Sequence, residues 1–311
     1  MHSNGAYIGS EGLKELSSMS PAIIKFWGVR GSIPTPGPET MRVGGNTACI
    51  ELRADGEHII FDAGSGMRPL GRSLAKEFGE SPLDITLLIT HTHWDHIQGF
   101  PFFVPAYSPQ NHVHILGYEG ARKDLQATLA GQMESPYFPI AMAQMPGNII
   151  IEELKSLHFQ IGSIAGEACH VNHPGVCVGY RLTTAAGSIC YIPDHESAPR
   201  TADDADSVNG MIERKVVEFI RGADILIMDS QYTADEYHTH VGWGHGSLDE
   251  VVRIALDGDV KHLYLFHHDP SHDDDFLDAM LARARKLAAG SNLRVSLARE
   301  GDSIILAGVK A

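Results

Sequence analysis

The sequence predicts an α/β fold, because short patterns typical of buried strands alternate with amphipathic patterns typical of helices. This alternation starts at Ile23 and continues through about 290 of the 311 residues without a Pro- or Ser-rich linker. Several predicted strands end directly at polar, His-containing loops, which is where α/β folds gather their functional sites. We expect a single domain over residues 21–311, preceded by a flexible N-terminal extension over residues 1–20.

Twelve segments carry the strand pattern, in which β-branched and apolar residues are bounded by turn residues. The turn at Asp55-Gly56 favours a hairpin between the second and third of them. The Pro- and Gly-rich segment Arg30–Pro38 excludes regular structure between the first two. In chain order the predicted strands are Ile23–Trp27, Ala48–Leu52, His58–Asp62, Ile85–Thr90, His112–Leu116, Ile149–Glu153, Val178–Thr183, Ile189–Ile192, Ile225–Met228, Leu263–His267, Arg294–Leu297 and Ser303–Leu306.

Four segments carry the helical period. Ser247 is placed to cap the third of them, and the acidic run Asp273–Asp275 suits the start of the fourth through the helix dipole. The predicted helices are Arg68–Phe78, Ile212–Arg221, Leu248–Leu256 and Phe276–Ala289.

The net charge of the chain limits which molecules it is expected to bind. The chain has 24 Lys and Arg against 39 Asp and Glu, a net charge of −15. Such a surface repels polyanions, so binding along extended duplex nucleic acid is not expected. A small anionic substrate stays compatible with this charge, because bound dications would reverse the field locally.

The cysteines and the N-terminal segment indicate the compartment. Cys49, Cys169, Cys177 and Cys190 show no CxxC spacing and fit buried thiols in a reducing environment. Residues 1–20 show no apolar signal-peptide core, and no apolar run approaches membrane-spanning length. We expect a cytoplasmic protein that does not bind membranes, and we leave open its association into a homo-oligomer.

The segment His91-Thr92-His93-Trp94-Asp95-His96 carries most of the functional signal. Three imidazoles and one carboxylate follow a predicted buried strand, and these are the ligands that borderline divalent metals prefer. Four such groups cannot all saturate one ion without strain, so we expect two ions and further ligands from elsewhere. Trp94, in the middle of the segment, is expected to pack inside the protein.

Further ligand candidates stand in loops after other predicted strands. These are His173, Asp194 and one of the pair His267-His268. His267 is preferred over His268 because it directly continues its strand. His238 and His240 form another His-x-His pair in a polar loop, where lining of a pocket is the more natural role.

The motif Thr90-His91-Thr92-His93-Trp94-Asp95-His96-Ile97-Gln98-Gly99, followed by isolated His173, Asp194 and His267, resembles the metallo-β-lactamase-fold superfamily. Within it, the sequence is similar to the branch of ribonuclease Z-like and phosphodiesterase-like metal-dependent hydrolases. The segments Gly44–Thr47 and Phe61–Gly64 also resemble that branch. The resemblance implies a four-layer αββα sandwich with the site at one edge of its two sheets.

The resemblance also implies a ligand set for two divalent ions, Zn²⁺, Mn²⁺ or Fe²⁺. One ion would be held by His91, His93 and His173, the other by Asp95, His96 and His267, and Asp194 would bridge them. Two such ions share a hydroxide near neutral pH and clamp the oxygens of an ester. Asp62 is a candidate hydrogen-bond acceptor for a ligand imidazole, although a turn-forming role explains it equally well.

Candidate catalytic residues are Asp95, Asp194 and His245. In the resembling branch a His ahead of a helix, as at position 245, helps to protonate the leaving oxygen or to stabilise charge, which His chemistry suits. His245 is therefore also a candidate substrate contact at the phosphate, with a packing role in its loop as the alternative. We name Arg30 as a substrate contact, because its loop is expected to face the site. Tyr137 and Phe138 are further substrate candidates, since they lie in an apolar, Pro-stiffened loop that could roof a pocket.

The leading hypothesis is a dinuclear phosphodiesterase that acts on a cyclic nucleotide, a cyclic phosphate or a short oligonucleotide. The alternative is a carboxylic ester, lactone or thioester hydrolase on the same fold. Full-length transfer RNA is disfavoured, because no Lys/Arg-rich insertion provides a basic arm. A diiron oxidoreductase is disfavoured because His93 stands where such enzymes carry Glu, and a non-catalytic member because no expected ligand is missing.

Overall fold

The protein is described here from a computed structural model that covers residues 21–118, 124–197 and 207–307. The predicted N-terminal extension over residues 1–20 lies outside these ranges. No helix in the described ranges has the length and apolar character needed to cross a membrane.

The first sheet has seven strands in the order β14-β1-β2-β3-β4-β5-β6. Strands β3 to β6 run parallel, and β14, β1, β2 and β3 are antiparallel neighbours. Its members are β1 (Ala22–Gly28), β2 (Cys49–Ala54), β3 (Glu57–Phe61), β4 (Asp84–Ile89), β5 (His112–Gly117), β6 (Asn148–Glu153) and β14 (Ser303–Leu306).

The second sheet also has seven strands, in the order β13-β12-β11-β10-β9-β8-β7. Strands β10 to β13 run parallel, so their carboxyl ends lie at one edge of the sheet. Its members are β7 (His158–Ile161), β8 (Ile164–His170), β9 (Val178–Thr184), β10 (Gly187–Ile192), β11 (Ile225–Asp229), β12 (His262–Phe266) and β13 (Arg294–Leu297).

Helices complete the outer layers. A core cluster joins the first sheet to two of them, and a larger cluster joins both sheets to three others. The two sheets with helices form the expected four-layer αββα sandwich, so the predicted fold class is confirmed. The helices on the first sheet are α1 (Met67–Phe78) and α3 (Leu125–Gly131), those on the second are α4 (Val208–Phe219), α6 (Leu248–Asp257) and α7 (Asp274–Leu287), and the one-turn helices α2 (Trp94–Ile97) and α5 (Ala234–Tyr237) lie in loops.

A buried carboxylate stabilises the first sheet. Glu51, in β2, accepts hydrogen bonds from the indole of Trp27 at 2.9 Å, the guanidinium of Arg53 at 2.6 Å and the imidazole of His58 at 3.0 Å. Burial raises the pKa of Glu51, but these three partners outweigh it and lower the pKa to about 2. The folded protein therefore holds the Glu51 proton more weakly than the unfolded chain does.

This network predicts a pH-dependent stability. A lowered carboxyl pKa stabilises the fold above the unfolded pKa, and the stabilisation is lost as the pH falls towards 2. Between metal-free wild type and metal-free Glu51→Gln, we expect the difference in unfolding free energy to shrink by about 2 kcal/mol from pH 6 to pH 3. Urea unfolding at both pH values measures it, with exposed Glu80→Gln as the control. A difference that does not change with pH would contradict the assignment.

Candidate metal centre

The predicted ligands converge because the strands that precede them end at the same side of the sandwich. His91 follows β4 by two residues, Asp194 follows β10 by two, and His267 follows β12 directly. His173 stands in the loop after β8, and α2 carries Asp95 and His96 on its single turn. Residues as far apart in the chain as Asp95 and His267, which are 172 positions apart, therefore meet in one place.

The first ligand group consists of His91, His93, His173 and Asp194. Nδ1 of His93 lies 3.0 Å from Nε2 of His173. Oδ2 of Asp194 lies 3.6 Å from Nε2 of both His91 and His173. These four side chains point their donor atoms at a common point.

The second ligand group consists of Asp95, His96 and His267. Nε2 of His96 lies 3.3 Å from Nε2 of His267, and Oδ2 of Asp95 lies 3.2 and 3.1 Å from these two nitrogens. His268 points elsewhere, because its Nε2 donates to the carbonyl of Ala298 at 3.0 Å. The structure therefore favours His267 over His268, as the sequence did.

Asp194 stands between the two groups. Its Oδ2 faces the first group, whereas its Oδ1 lies 3.1 Å from Nε2 of His96 and 3.4 Å from Nε2 of His267 in the second. One carboxylate thus presents one oxygen to each group, which is the arrangement that a bridging ligand needs.

The residues present fit divalent ions. Two donor atoms that each lie 2.0–2.2 Å from one tetrahedral ion are separated by about 3.3–3.6 Å, close to the spacings within both groups. Nε2 of His91 and Oδ1 of Asp194 are buried and have no hydrogen-bond partner within the protein. Orphaned buried polar atoms are costly, and a bound cation would satisfy both of them.

The electrostatics of the groups also suit cations. Burial and the neighbouring imidazole of His96 lower the pKa of His91, so that this ring is neutral and keeps a lone pair for a metal. Burial likewise lowers the pKa of His93 and His173. Burial opposes the charge of His96 as well, but Asp95 and Asp194 outweigh it and raise its pKa. The carboxylates around His96 thus create a place for positive charge.

A second layer of hydrogen bonds orients the ligand rings. Nδ1 of His96 lies 2.8 Å from Oδ2 of Asp62, so Asp62 has the predicted acceptor role, and its positive φ of 56° shows that it also forms the turn after β3. Nδ1 of His267 lies 3.1 Å from the side-chain oxygen of Gln231, and Nδ1 of His173 lies 2.8 Å from the carbonyl of Gly244. Such contacts fix the tautomer and the direction of a metal-ligating imidazole.

His245 lies beside both groups. Its ring stacks on that of His267 with centroids 5.0 Å apart, and its Nδ1 lies 3.8 Å from Oδ2 of Asp194. The same Nδ1 lies 3.1 Å from Oδ2 of Asp229. Burial lowers the pKa of His245, but Asp229 and then Asp194 outweigh it and raise the pKa to about 9. His245 is therefore protonated near neutral pH in the metal-free protein.

Asp229 was missed by the sequence analysis. It is the last residue of β11, between the strands that lead to Asp194 and His267. An acidic residue at the end of a wholly apolar strand, Ile225-Leu226-Ile227-Met228, was the signal that could have found it.

Arg30 requires a correction. Its side chain was predicted to contact the substrate, but it is completely buried. Its guanidinium donates to the carbonyls of Gly44, Asp269 and His272, so it ties loops together and is not accessible to a ligand. The loop does reach the site through its backbone, because the amide of Ser32 donates to Oδ2 of Asp95 at 2.8 Å.

Tyr137 and Phe138 lie in the loop after α3. Tyr137 is exposed, and Phe138 lines a cavity of about 660 Å³ together with residues such as Met133 and Met142. The residues that line this cavity include none of the predicted metal ligands. Substrate contact by Tyr137 and Phe138 therefore stays a prediction.

The αββα sandwich with its edge cluster of His and Asp side chains defines the class of metal-dependent hydrolases. A family model described as the beta-lactamase superfamily domain matches residues 57–268. The chain therefore belongs to the beta-lactamase superfamily. This confirms the family that the motifs indicated.

Individual proteins are similar to this chain in sequence or in fold. The ribonuclease Z of Oceanobacillus iheyensis is 25% identical over 240 residues, which cover 66% of this chain and 78% of that protein. The structure of the metallo-beta-lactamase fold protein YhfI from Bacillus subtilis superposes with a TM-score of 0.66 at 18% identity and covers 92% of this chain and 100% of its own. The structure of unliganded yeast PDE1 superposes with a TM-score of 0.66 at 16% identity, and the match covers 93% of this chain and 100% of that protein.

Proposed function

We propose that this protein is a dinuclear metal-dependent hydrolase that cleaves a small phosphodiester. The observation that carries the proposal is the position of Asp194, whose two carboxylate oxygens face two separate groups of ligand atoms. The similarity to ribonuclease Z supports a phosphodiester as the bond that is cleaved.

The two ligand groups would each hold one divalent ion, Zn²⁺, Mn²⁺ or Fe²⁺, with Asp194 shared between them. A pair of such ions supplies an activated water and neutralises the charge of the phosphate oxygens. The chain's own contribution is to fix the donor atoms: Asp62, Gln231 and the carbonyl of Gly244 orient His96, His267 and His173 from behind.

His245 would act as the general acid. A departing alkoxide needs a proton, and a protonated imidazole within reach of the reacting phosphate can donate it. Asp229 holds the charged form of His245 through its contact with Nδ1, which leaves Nε2 to carry the proton that is donated. Asp229 is therefore a positioning residue for His245.

A small diester is favoured over folded RNA by the charge of the chain. The net charge of −15 repels a polyanion, and the buried Arg30 offers nothing to a backbone phosphate. The two ions of the site can still attract a single phosphodiester group.

A substrate panel tests the proposal. The protein is loaded with Zn²⁺ or Mn²⁺ and assayed on bis(4-nitrophenyl) phosphate, 2′,3′- and 3′,5′-cyclic AMP, dinucleotides, precursor transfer RNA, 4-nitrophenyl acetate, a lactone and a thioester. We expect turnover of small diesters that a chelator abolishes and added metal restores. Turnover of the carboxylic esters alone would favour the alternative function, and preferred processing of transfer RNA would reject the small-substrate assignment.

A further inference from the structure

Two of the three tryptophans of the chain are strongly exposed. Trp94 is 72% and Trp243 is 60% exposed, whereas Trp27 is half-buried and donates to Glu51. Burial of apolar surface is favourable, so an exposed indole is energetically costly. Single exposed apolar side chains are nevertheless common, whereas two beside one metal centre indicate a binding surface. The expectation that Trp94 packs inside the protein is thus wrong.

Both exposed tryptophans are next in the chain to residues of the first ligand group or to a residue that contacts it. Trp94 directly follows His93. Trp243 directly precedes Gly244, whose carbonyl lies 2.8 Å from Nδ1 of His173. Because the rings of His93 and His173 contact each other, with centroids 4.9 Å apart, the chain segments that carry the two tryptophans adjoin the same half of the metal centre.

The loop that carries Trp243 is held firmly. The amides of Gly242 and Gly244, on either side of Trp243, donate to the two carboxylate oxygens of Glu196 at 2.7 and 2.9 Å. Both glycines have positive φ, 86° and 88°, a conformation that side-chain-bearing residues rarely adopt. Glu196 itself stands two residues after Asp194, so the loop is fixed relative to the metal ligands.

Other aromatic rings set the orientation of the Trp243 indole. It lies nearly perpendicular to the ring of His240, with centroids 4.7 Å apart. His240 stacks on the buried ring of Tyr232 at 4.4 Å, and Tyr232 contacts His245 at 6.1 Å. A continuous series of aromatic rings therefore leads from the protein interior beside the candidate acid to an exposed indole.

We propose that Trp243 and Trp94 form a subsite that stacks the base of a nucleoside phosphodiester whose phosphate lies at the metal centre. This proposal rests on the proposed function and names its substrate class. An exposed, rigidly held indole offers a π-face at little entropic cost, and every nucleobase has a π-face that can stack on it. Because stacking reads no particular hydrogen-bonding edge, we expect the subsite to accept different bases.

Two diesters with the same leaving group test the subsite. Thymidine 5′-(4-nitrophenyl phosphate) carries a base, and methyl 4-nitrophenyl phosphate does not. We expect Trp243→Ala and Trp94→Ala each to lower the ratio of kcat/KM for the first substrate over the second by about tenfold, and Trp243→Phe to keep most of it. Ile305→Ala, which removes another exposed apolar side chain, is the control. Ratios that stay at the wild-type value in both alanine variants would overturn the proposal.

A binding measurement separates this proposal from the proposed function. If wild type hydrolyses neither these two diesters nor any diester of the substrate panel, the proposed function fails, and the subsite is judged by quenching of tryptophan fluorescence in the zinc-loaded protein. AMP, which carries a base, is then compared with ribose 5-phosphate, which does not. We expect stronger quenching by AMP, with a Kd about tenfold higher in Trp243→Ala. Equal quenching by both ligands, or an unchanged Kd, would overturn the subsite.

Discussion

Replacing Asp194 by alanine is expected to abolish binding of both metal ions and to lower kcat/KM by at least about a thousandfold, since the ions supply several kcal/mol of transition-state stabilisation. The reason is that its two oxygens face the two ligand groups separately. Its loss also leaves the buried imidazoles of both groups without their shared anion. The measurement is metal content by elemental analysis together with turnover of the diester that is cleaved best.

Two further variants sharpen this test. Asp194→Asn keeps the shape of the side chain and removes its charge, so it separates loss of the ligand from failure to fold. Asp275→Asn changes a carboxylate that is 92% exposed and is expected to retain both ions. Two ions per chain and undiminished activity in Asp194→Asn would show that Asp194 does not bridge a metal pair.

Replacing His245 by alanine is expected to lower kcat by about 10²–10⁴-fold on diesters with an alkoxide leaving group, the usual contribution of a general acid. The loss should be much smaller with 4-nitrophenolate, because this leaving group departs without a proton. Metal content should stay unchanged in this variant if His245 does not ligate. Equal losses on the two kinds of diester would argue against the acid role.

The partner of His245 provides a pH test of the same assignment. Asp229 is the strongest of the groups that raise the pKa of His245, to about 9, against the lowering effect of burial. Asp229→Asn removes this carboxylate, so His245 should lose its proton at lower pH. We therefore expect the alkaline limb of the kcat profile on an alkyl diester to move to lower pH. A limb at the same pH in both proteins would mean that His245 is not the group that titrates.

Local patterns were enough for most of the architecture. The strands Arg294–Leu297 and Ser303–Leu306 coincide with the prediction, and most other elements agree within a few residues. The hairpin of β7 and β8 was missed, because Gly, Ala and polar residues interrupt the apolar alternation of its strands. These strands are stabilised by pairing of β8 with β9 and by packing against the core between the sheets, which a local sequence pattern does not show.

In the candidate site, too, some residues could be predicted from the sequence and others only from the tertiary structure. His91, His93, Asp95 and His96 are adjacent in the chain, so their chemistry was visible in the sequence. The roles of Asp229, Glu196 and Gly244 depend on contacts across loops and could not be seen there. Arg30 shows the opposite error. A cation in a loop near the site suggested a contact with the substrate, but the fold buries its side chain.

The sequence by itself determined the fold class, the family and the residues that could bind metal, because the period of apolar residues and the order of His and Asp along the chain can be read without knowing any contact. Only the tertiary structure decided how these residues are divided into two groups, which oxygen of Asp194 faces each, and which partner holds His245. It also decided that Arg30 is buried and Trp94 exposed. These properties arise where the ends of β4, β8, β10, β11 and β12 meet, and burial and distance exist only once the two sheets have packed.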